Sequence, residues 1–409
     1  MTNYIVGLDI GSKTIKAAVG EIKRDGNLSV RALFTGPSAG IKKGVVDDIG
    51  DATQALSPIL TEIKKRYRSA DARMFVGIGA SDLKVHSSIG VVAVSRADYE
   101  IYGDDISRAI QSAGAVNTPP NRMILHAIVK EYIVDGVTDI KDPLGMNGNR
   151  LEVNSLIIEV FAPAIKNMSK CIEMLGSKIK DFILTPLADA RAVLSKEQKG
   201  LGVVVIDIGF GKTSMCVYEE DKLMHAAIFP VGSGNITNDI AIGLRIPVAM
   251  AETIKISFGS ALSKDISVRE TIELSKIKEG IKGVAKKKFI AEIIESRLSE
   301  IFEFINNDLK LITKAGKLPA GAILVGGGVK IPGIVELAKR ELALPIQLGI
   351  PDAKNIEITT NELALQLEDP TFACSYGLLL WGYDTLTESK PLPIPGKGAL
   401  KKILRYFAP

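Results

Sequence analysis

Apolar positions along the chain come in short continuous runs and in helical stripes, in alternation. The run Ile5-Val6-Gly7-Leu8 ends in Asp9-Ile10-Gly11, after which Thr14, Lys16 and Ala18 alternate with Ile15, Ala17 and Val19. A run, a glycine turn and a period-two stretch predict a β-hairpin. The pattern recurs where Val203-Val204-Val205-Ile206 ends in Asp207-Ile208-Gly209-Phe210-Gly211, followed by a strand from Ser214 to Tyr218. The two Asp-Ile-Gly turns lie 198 residues apart, about half the chain, which predicts an internal duplication. A third run, Ala322-Ile323-Leu324-Val325, leads into Gly326-Gly327-Gly328. Helical spacing appears at Leu56, Ile59, Leu60 and Ile63 within Thr53–Lys65, and at Ile293, Ile294, Leu298, Ile301, Ile305 and Leu309 within Phe289–Ile312. Strands alternating with helices predict an α/β fold. Between about Lys84 and Pro163, strand-like runs (Val91–Val94, Ile124–Val129, Leu156–Phe161) surround a turn at Pro143–Gly148, which predicts an inserted subdomain. The run Gly377–Trp381 is too short to span a bilayer and predicts a core helix. Lys390–Gly396, with three prolines, predicts a stiff linker before the last dozen residues.

A strand that ends in Asp and turns through Gly suits phosphate chemistry. Glycine lets backbone N–H groups approach an anion without a Cβ clash, and the carboxylate can hold Mg²⁺ through the ion's own waters. One such turn is weak evidence, but here two copies, each followed by Thr and Lys, stand with a glycine triplet and a distal Pro332-Gly333. Two better-known loops are absent. Gly211-Lys212-Thr213 lacks the P-loop's leading Gly, its position being Ile206, and Ser214 stands where GxGxxG would need its third Gly.

With 409 residues the chain has room for two or three domains, and 46% hydrophobic and 24% charged residues exclude a disordered or fibrous class. Cys171, Cys216 and Cys374 are widely spaced and form no CxxC pair, as expected of reduced thiols in a cytosolic protein. No leader-like basic segment precedes the first strand, and no apolar run reaches the ~18–20 residues of a spanning helix. His86, His126 and His225 lack ligand spacing and read as structural.

The paired Asp-x-Gly hairpins and late Gly triplet resemble the actin/Hsp70/sugar-kinase superfamily. Within it, Gly7–Ser12, Gly145–Glu152, Pro186–Leu194, Pro230–Ala241, Ala251–Lys255 and the tail resemble the FtsA family of bacterial cell-division actin homologues. The resemblance covers essentially the whole chain. It implies an α/β, actin-like two-lobed ATPase fold with duplicated mixed-sheet domains and an inserted α+β subdomain. The implied division is lobe 1 at 1–83, 164–194 and 368–385, the insert at 84–163, lobe 2 at 195–245 and 313–367, and a small helical subdomain at 246–312. A linker at 386–397 and an amphipathic helix at 398–409 complete it.

The resemblance further implies ATP with Mg²⁺ as cofactors. Asp9, Gly11, Ser12 and Lys16 would form one phosphate loop, and Asp207, Gly209, Gly211, Lys212 and Thr213 the other, with Mg²⁺ held through water by Asp9 and Asp207. Gly232, Gly234, Glu252, Lys255, Gly326, Gly327 and Gly328 would take the adenosine side; without the resemblance, Glu252 and Lys255 read as a surface ion pair. Implied partners are the C-terminal peptide of FtsZ, further copies of the chain, later division proteins and the inner leaflet at the septum. Lys286-Lys287-Lys288, beside Lys278 and Lys282, is by default a solvated helix face and would be the FtsZ-facing one. Two departures stand out. Ser233 follows Gly232 where the family often has Gly-Gly, and Thr185 occupies the place where hydrolysing bacterial actins carry Glu before Pro-x-Ala. Asp189, on the same segment, could act on water, cap the helix or pair with Arg191. Slow hydrolysis follows, with ATP a structural ligand. A soluble sugar or acid kinase and a pilus-assembly adaptor are the alternatives, the first needing a base and the second lacking a basic tail.

In that tail, Leu400, Ile403, Leu404 and Phe407 share one helical face while Lys401, Lys402 and Arg405 take the other. This pattern predicts an in-plane membrane helix whose cations meet anionic headgroups, against the plainer reading of a helix docked on the body. Residues 390–409 hold five cations and no acid, so the net +4 of the chain leaves a formal −1 on the rest. The excess is local, which argues for a membrane surface and against nucleic acid.

Overall fold

The computed structural model describes residues 3–68, 73–277, 283–354 and 356–387. The predicted membrane helix and the linker from 388 on lie outside the described residues, as do Lys278 and Lys282, while Leu386 and Thr387, expected in the linker, are helical.

The chain begins with an antiparallel meander of β1 (Asn3–Ile10), β2 (Thr14–Ile22) and β3 (Leu28–Pro37), then a short hairpin of β4 (Ile41–Lys42) and β5 (Val45–Val46), α1 (Ile49–Arg66) and β6 (Met74–Ile78). Helix α1 starts where the Asp48 carboxylate accepts from the Asp51 N–H, and the predicted stripe Leu56, Ile59, Leu60 and Ile63 is buried against the sheet. The next segment is β7 (Lys84–Ala93), α2 (Gly103–Gly114), β8 (Arg122–Val134), β9 (Val137–Ile140) and β10 (Arg150–Phe161). It forms its own four-stranded sheet, ordered β7-β10-β8-β9. Helix α3 (Ala162–Met174), β11 (Ile179–Leu184) and α4 (Thr185–Val193) return to the first sheet.

The second lobe holds α5 (Lys196–Leu201), β12 (Val203–Ile208), β13 (Thr213–Glu219), β14 (Lys222–Phe229), α6 (Ser233–Leu244) and α7 (Val248–Phe258). It continues through β15 (Thr271–Glu273), β16 (Val284–Lys286), α8 (Lys287–Leu311), β17 (Ala322–Val325), α9 (Ile334–Leu342) and β18 (Ile346–Leu348). Then β19 (Glu357–Ile358), α10 (Asn361–Leu367) and α11 (Ala373–Thr387) close the chain. The two large sheets run β11-β6-β1-β2-β3-β19 and β14-β13-β12-β17-β18. In each, a strand ending in Asp-Ile pairs antiparallel with the next strand and parallel with a later one, β1 with β6 and β12 with β17. The duplication read from the two turns is thus a duplication of topology.

One boundary differs from expectation. The second lobe was expected to run to residue 367, but β19 pairs with β3 (Glu357 with Ser29, Ile358 with Val30) and Leu363 and Leu367 are buried in the first lobe's core. The first sheet's outer edge would otherwise be open, and this crossing strand covers it. The long helix α8 buries Ile294, Leu298, Ile301, Ile305 and Leu309 as expected, with Phe302 added and Ile293 only partly covered. The run Gly377–Trp381 is the centre of α11, and Leu378, Leu379 and Leu380 are core residues. All three cysteines are buried free thiols.

The insert is rooted in the first lobe. Leu125, Leu156, Ile158 and Val160 belong to that lobe's core, and the buried Arg122 donates to Asp82 Oδ2 at 2.8 Å and to Glu159 Oε2 at 3.2 Å. His126 of β8 is buried at this root, where its Nε2 accepts from the Leu184 N–H at 3.1 Å beside the Trp381 ring. Burial pushes its pKa down to about 4 from the ordinary 6.5. The imidazole is neutral in the fold, while the unfolded chain takes a proton below about pH 6.5. Its stabilising contribution is therefore complete above that pH and is lost as pH falls towards 4, by roughly 3 kcal/mol. Chemical denaturation of the wild type and His126→Gln at pH 7 and pH 4.5 checks this. The wild type is expected to lose the larger share, and equal losses would exclude a role for His126.

Candidate functional site

Both glycine hairpins close in the same way. The Gly11 N–H donates to Thr14 O at 3.1 Å, and the Gly209 N–H to Lys212 O at 3.0 Å. The two turns meet across a cavity of about 480 Å³ lined by both. A Cβ added at Gly211 would come within 2.7 Å of Ser12 Oγ, so the loops are nearly in contact. Asp9 ends β1 opposite Lys16 of β2, and Asp207 ends β12 opposite Ser214. β17 then brings the Gly triplet beside Asp207, with Gly326 at φ 90°. Thirteen of the sequence-predicted residues line this one cavity: Asp9, Gly11, Ser12, Lys16, Asp207, Gly209, Gly211, Lys212, Glu252, Lys255, Gly326, Gly327 and Gly328.

The comparisons with known proteins bear on the same halves. The family model described as "Cell division protein FtsA" matches residues 204–377, and that described as "SHS2 domain inserted in FTSA" matches 80–159. The chain is 33% identical over 392 residues to the cell division protein FtsA of Pseudomonas aeruginosa, covering 96% of this chain and 92% of that relative. It is 34% identical over 403 residues to that of Neisseria meningitidis, covering 98% and 94%. The chain belongs to the FtsA family of cell division proteins. This membership decides against the kinase and pilus-adaptor alternatives. Solved structures of a PilM–PilN type IV pilus biogenesis complex (TM-score 0.65, 16% identity, 93% of this chain and 98% of that one) share its architecture. So does MreB 5 of Spiroplasma citri bound to AMPPNP (TM-score 0.55, 14% identity, 93% and 96%). At such identities they show the fold alone, the actin-like α/β fold; the FtsA-type insert rests on its own family model.

Three predicted residues sit outside the cavity of this FtsA-family chain. Thr213 is fully buried, and its Oγ1 donates to Val231 O at 2.8 Å, so its hydroxyl is occupied. Gly232 and Gly234 lie behind the second loop. The Gly234 N–H donates to Phe210 O at 2.7 Å and the Ser233 N–H to Gly209 O at 2.9 Å. The N-terminus of α6 therefore spends its free N–H groups on holding the loop in place. Ser233 in place of Gly does not loosen this packing.

Glu252 and Lys255 are not the surface pair that they resemble in isolation. Their side chains are 17% and 5% exposed, and the Lys255 ammonium donates to Ser233 O at 2.9 Å and Thr237 Oγ1 at 2.8 Å besides pairing with Glu252. Burial opposes the charge on Glu252, yet hydrogen bonds from Lys13, Lys255 and Thr237 outweigh it and hold its carboxyl below the ordinary range. Lys13, from the first loop, reaches Glu252 across the cleft, and both lysines stand over the Phe210 ring at 5.3 and 5.5 Å. Lys330 pairs with Asp369 in a second tie between the lobes. Sequence reasoning assigned no site role to Lys13, Phe210, Lys330 or Asp369; Lys13, Lys330 and Asp369 gain their partners only when the lobes meet, and Phe210 takes one lysine from each lobe.

The floor of the cavity is acidic. Asp189, on α4, is buried with Oδ2 lacking a hydrogen-bond partner, while Arg191 forms a bidentate pair with Asp384 at 2.6 and 3.0 Å. Burial, with Asp207 and Asp9 nearby, raises the Asp189 pKa well above the carboxylate range, and burial likewise pushes Asp207 up to about 6. Carboxylate oxygens are the right donors for Mg²⁺, but among the described residues no three acidic or other ligating side chains converge closely enough to hold an ion directly. Thr185, at the position where a base would stand, accepts from the Lys212 ammonium at 2.9 Å.

Proposed function

We propose that this FtsA-family protein binds ATP between its lobes, assembles with copies of itself and tethers FtsZ to the cytoplasmic membrane at the division site. The observation that carries the nucleotide part is the pair of matching glycine hairpins facing each other across one cavity, each with its strand-terminal carboxylate and a lysine. Asp9, Gly11, Ser12 and Lys16 would hold the phosphates from one lobe, and Asp207, Gly209, Gly211 and Lys212 from the other. Glu252, Lys255 and Gly326–Gly328 would meet the nucleoside. Mg²⁺ arriving with ATP would reach Asp9 and Asp207 through its own waters. A nucleotide touching both lobes stabilises their closed arrangement by its differential affinity for it. With a threonine in place of an acidic base, hydrolysis is slow and the nucleotide acts chiefly as a brace.

The membrane part rests on the basic amphipathic tail. Among the described residues no helix is long and apolar enough to cross a membrane, so the tail would attach the protein peripherally. One short helix binds weakly, but assembly multiplies the attachments. The small helical subdomain would receive the FtsZ C-terminal peptide on the basic start of α8, where Lys287 also pairs with Glu270 at 3.1 Å. The insert would contact neighbouring copies and later division proteins; nucleic acid is not a partner. Co-sedimentation with anionic liposomes tests this reading. The full chain is expected to pellet, more so with ATP, and a chain ending at Glu388 to stay in solution. Equal pelleting of both would overturn the tether, and indifference to ATP would overturn its coupling to the cleft.

A further inference from the structure

The end of the first lobe that lies away from the cleft gathers cations. The stretch from Lys64 to Arg73 holds Lys64, Lys65, Arg66, Arg68 and Arg73 against one acid, Asp71, a formal +4 in a chain whose net charge without residues 390–409 is −1. The sheet fixes where these residues stand. At the end of α1 the Tyr67 ring meets the Tyr4 ring edge-on at 5.2 Å, beside the start of β1. Arg73 and Lys178 precede Met74 and Ile179, which face each other where β6 and β11 begin. Arg24 lies in the turn from β2 to β3 with Gly26, whose carbonyl accepts from Tyr383 Oη at 2.8 Å. Tyr383 stands one turn before α11 ends at Thr387, so the chain leaves the lobe for its tail at this same end.

The neighbouring acids are mostly taken. Glu21 pairs with Arg31, Glu62 with Arg66 and Glu357 with Lys23, while the Asp25 carboxylate accepts from the Asn27 N–H and side-chain amide at 3.0 Å each. Arg24, Lys65, Arg68 and Lys178 are exposed and Arg73 is half-buried, and among the described residues none of the five forms an ion pair. Such a patch repels Lys401, Lys402 and Arg405, so it is not a seat for the tail. Patch and tail suit one anionic partner, and a bilayer can meet both at once. Ten residues separate Thr387 from Gly398 and span at most about 35 Å, which keeps this end of the lobe near any surface the tail binds. Cations brought that close gain from the negative potential of anionic lipids. Resting on the reading of the tail as a membrane tether, we propose that this end of the first lobe is a second lipid-facing surface, where Arg24, Lys65, Arg68, Arg73 and Lys178 bind anionic headgroups. The tail attaches the protein and the patch orients it. The insert, which leaves from the opposite end of β6, then points away from the bilayer.

The test is co-sedimentation of the full chain with vesicles of phosphatidylcholine containing one-third phosphatidylglycerol, titrated in lipid. Lys65→Glu with Arg68→Glu reverses two charges of the patch at exposed side chains. Lys264→Glu with Arg269→Glu, at exposed positions of the small helical subdomain, makes the same change in net charge elsewhere. The first pair is expected to weaken binding about tenfold and the second by under about twofold, with the difference vanishing in high salt. Equal effects of the two pairs, no effect of the first, or a difference that survives high salt overturns the inference. So does a first pair that loses binding to duplex DNA while keeping its affinity for the vesicles, since the patch would then serve nucleic acid. A full chain that binds the vesicles no better than one ending at Glu388 overturns the tether reading itself, a result distinct from these.

Discussion

Replacing Gly377 with alanine is expected to destabilise the protein by more than about 4 kcal/mol, although alanine is the better helix former. Gly377 lies on α11 where that helix crosses α4, and an added Cβ would sit 1.8 Å from Ala188 O and 2.4 Å from its carbonyl carbon. These are backbone atoms, so no rotamer change relieves the overlap and one helix must move by more than 1 Å. The opposite side is closed as well, since a Cβ at Gly7 of β1 would meet Ser375 O at 2.2 Å and Leu379 N at 2.5 Å. Helix α11 is therefore held between α4 and the first sheet with no slack, in a core that includes the fully buried Tyr376, Leu378 and Leu379. Thermal unfolding should show a midpoint lower by on the order of 10 °C. Gly114→Ala, at the end of α2 with nothing within 4 Å of the added atom, should leave it unchanged or slightly raised. A fall under 2 °C for Gly377→Ala would refute the close crossing. The consequence reaches the cleft, because Asp189 is the residue after Ala188 and any shift of α4 moves the cavity floor.

The hairpins that build the cavity are legible in the sequence because their signals are local: an apolar run, an Asp, a glycine turn and an alternating strand. The repetition of that unit reports the duplication, and the structure returns it strand for strand. What stays hidden is what depends on one lobe meeting another part of the chain. Lys13 looks like an ordinary loop cation until Glu252, 239 residues away, faces it. Glu357 and Ile358 carry no sign that they belong with β3 rather than with the adjacent lobe, since a two-residue strand has no periodicity to read. Gly232 and Gly234 share the composition of a phosphate-binding turn, but the Gly234 N–H serves the neighbouring loop and the Gly232 N–H the Asn235 side chain of its own helix. Composition marks such glycines as close-approach positions; it does not say whether the approaching group is ligand or protein.

Gly326 and Gly327 separate those two cases by experiment. Gly326 has φ 90° and ψ 176°, a region closed to residues with a side chain, and its added Cβ would lie 2.0 Å from Asp207 Oδ1 and 2.8 Å from Ile208 O. Its N–H also donates to Pro370 O at 3.1 Å, joining the second lobe to the segment that leads into α11. Alanine there must both strain the backbone and displace the Asp207 carboxylate. Gly326→Ala is expected to lose about 3 kcal/mol of stability and at least 100-fold in ATP affinity. At Gly327 the nearest atom to an added Cβ is Thr371 Cγ2, at 3.9 Å, so the protein itself has room for it. Gly327→Ala should therefore unfold at the wild-type temperature while still weakening ATP, because the cavity that Gly327 lines is the space the nucleoside would fill. Thermal unfolding and ATP titration of the two variants give four readings. Lost stability in Gly327→Ala would contradict the packing described for the triplet. Undiminished ATP affinity in that stable variant would move the nucleoside away from Gly327 and leave only the phosphate end of the cavity to the two hairpins.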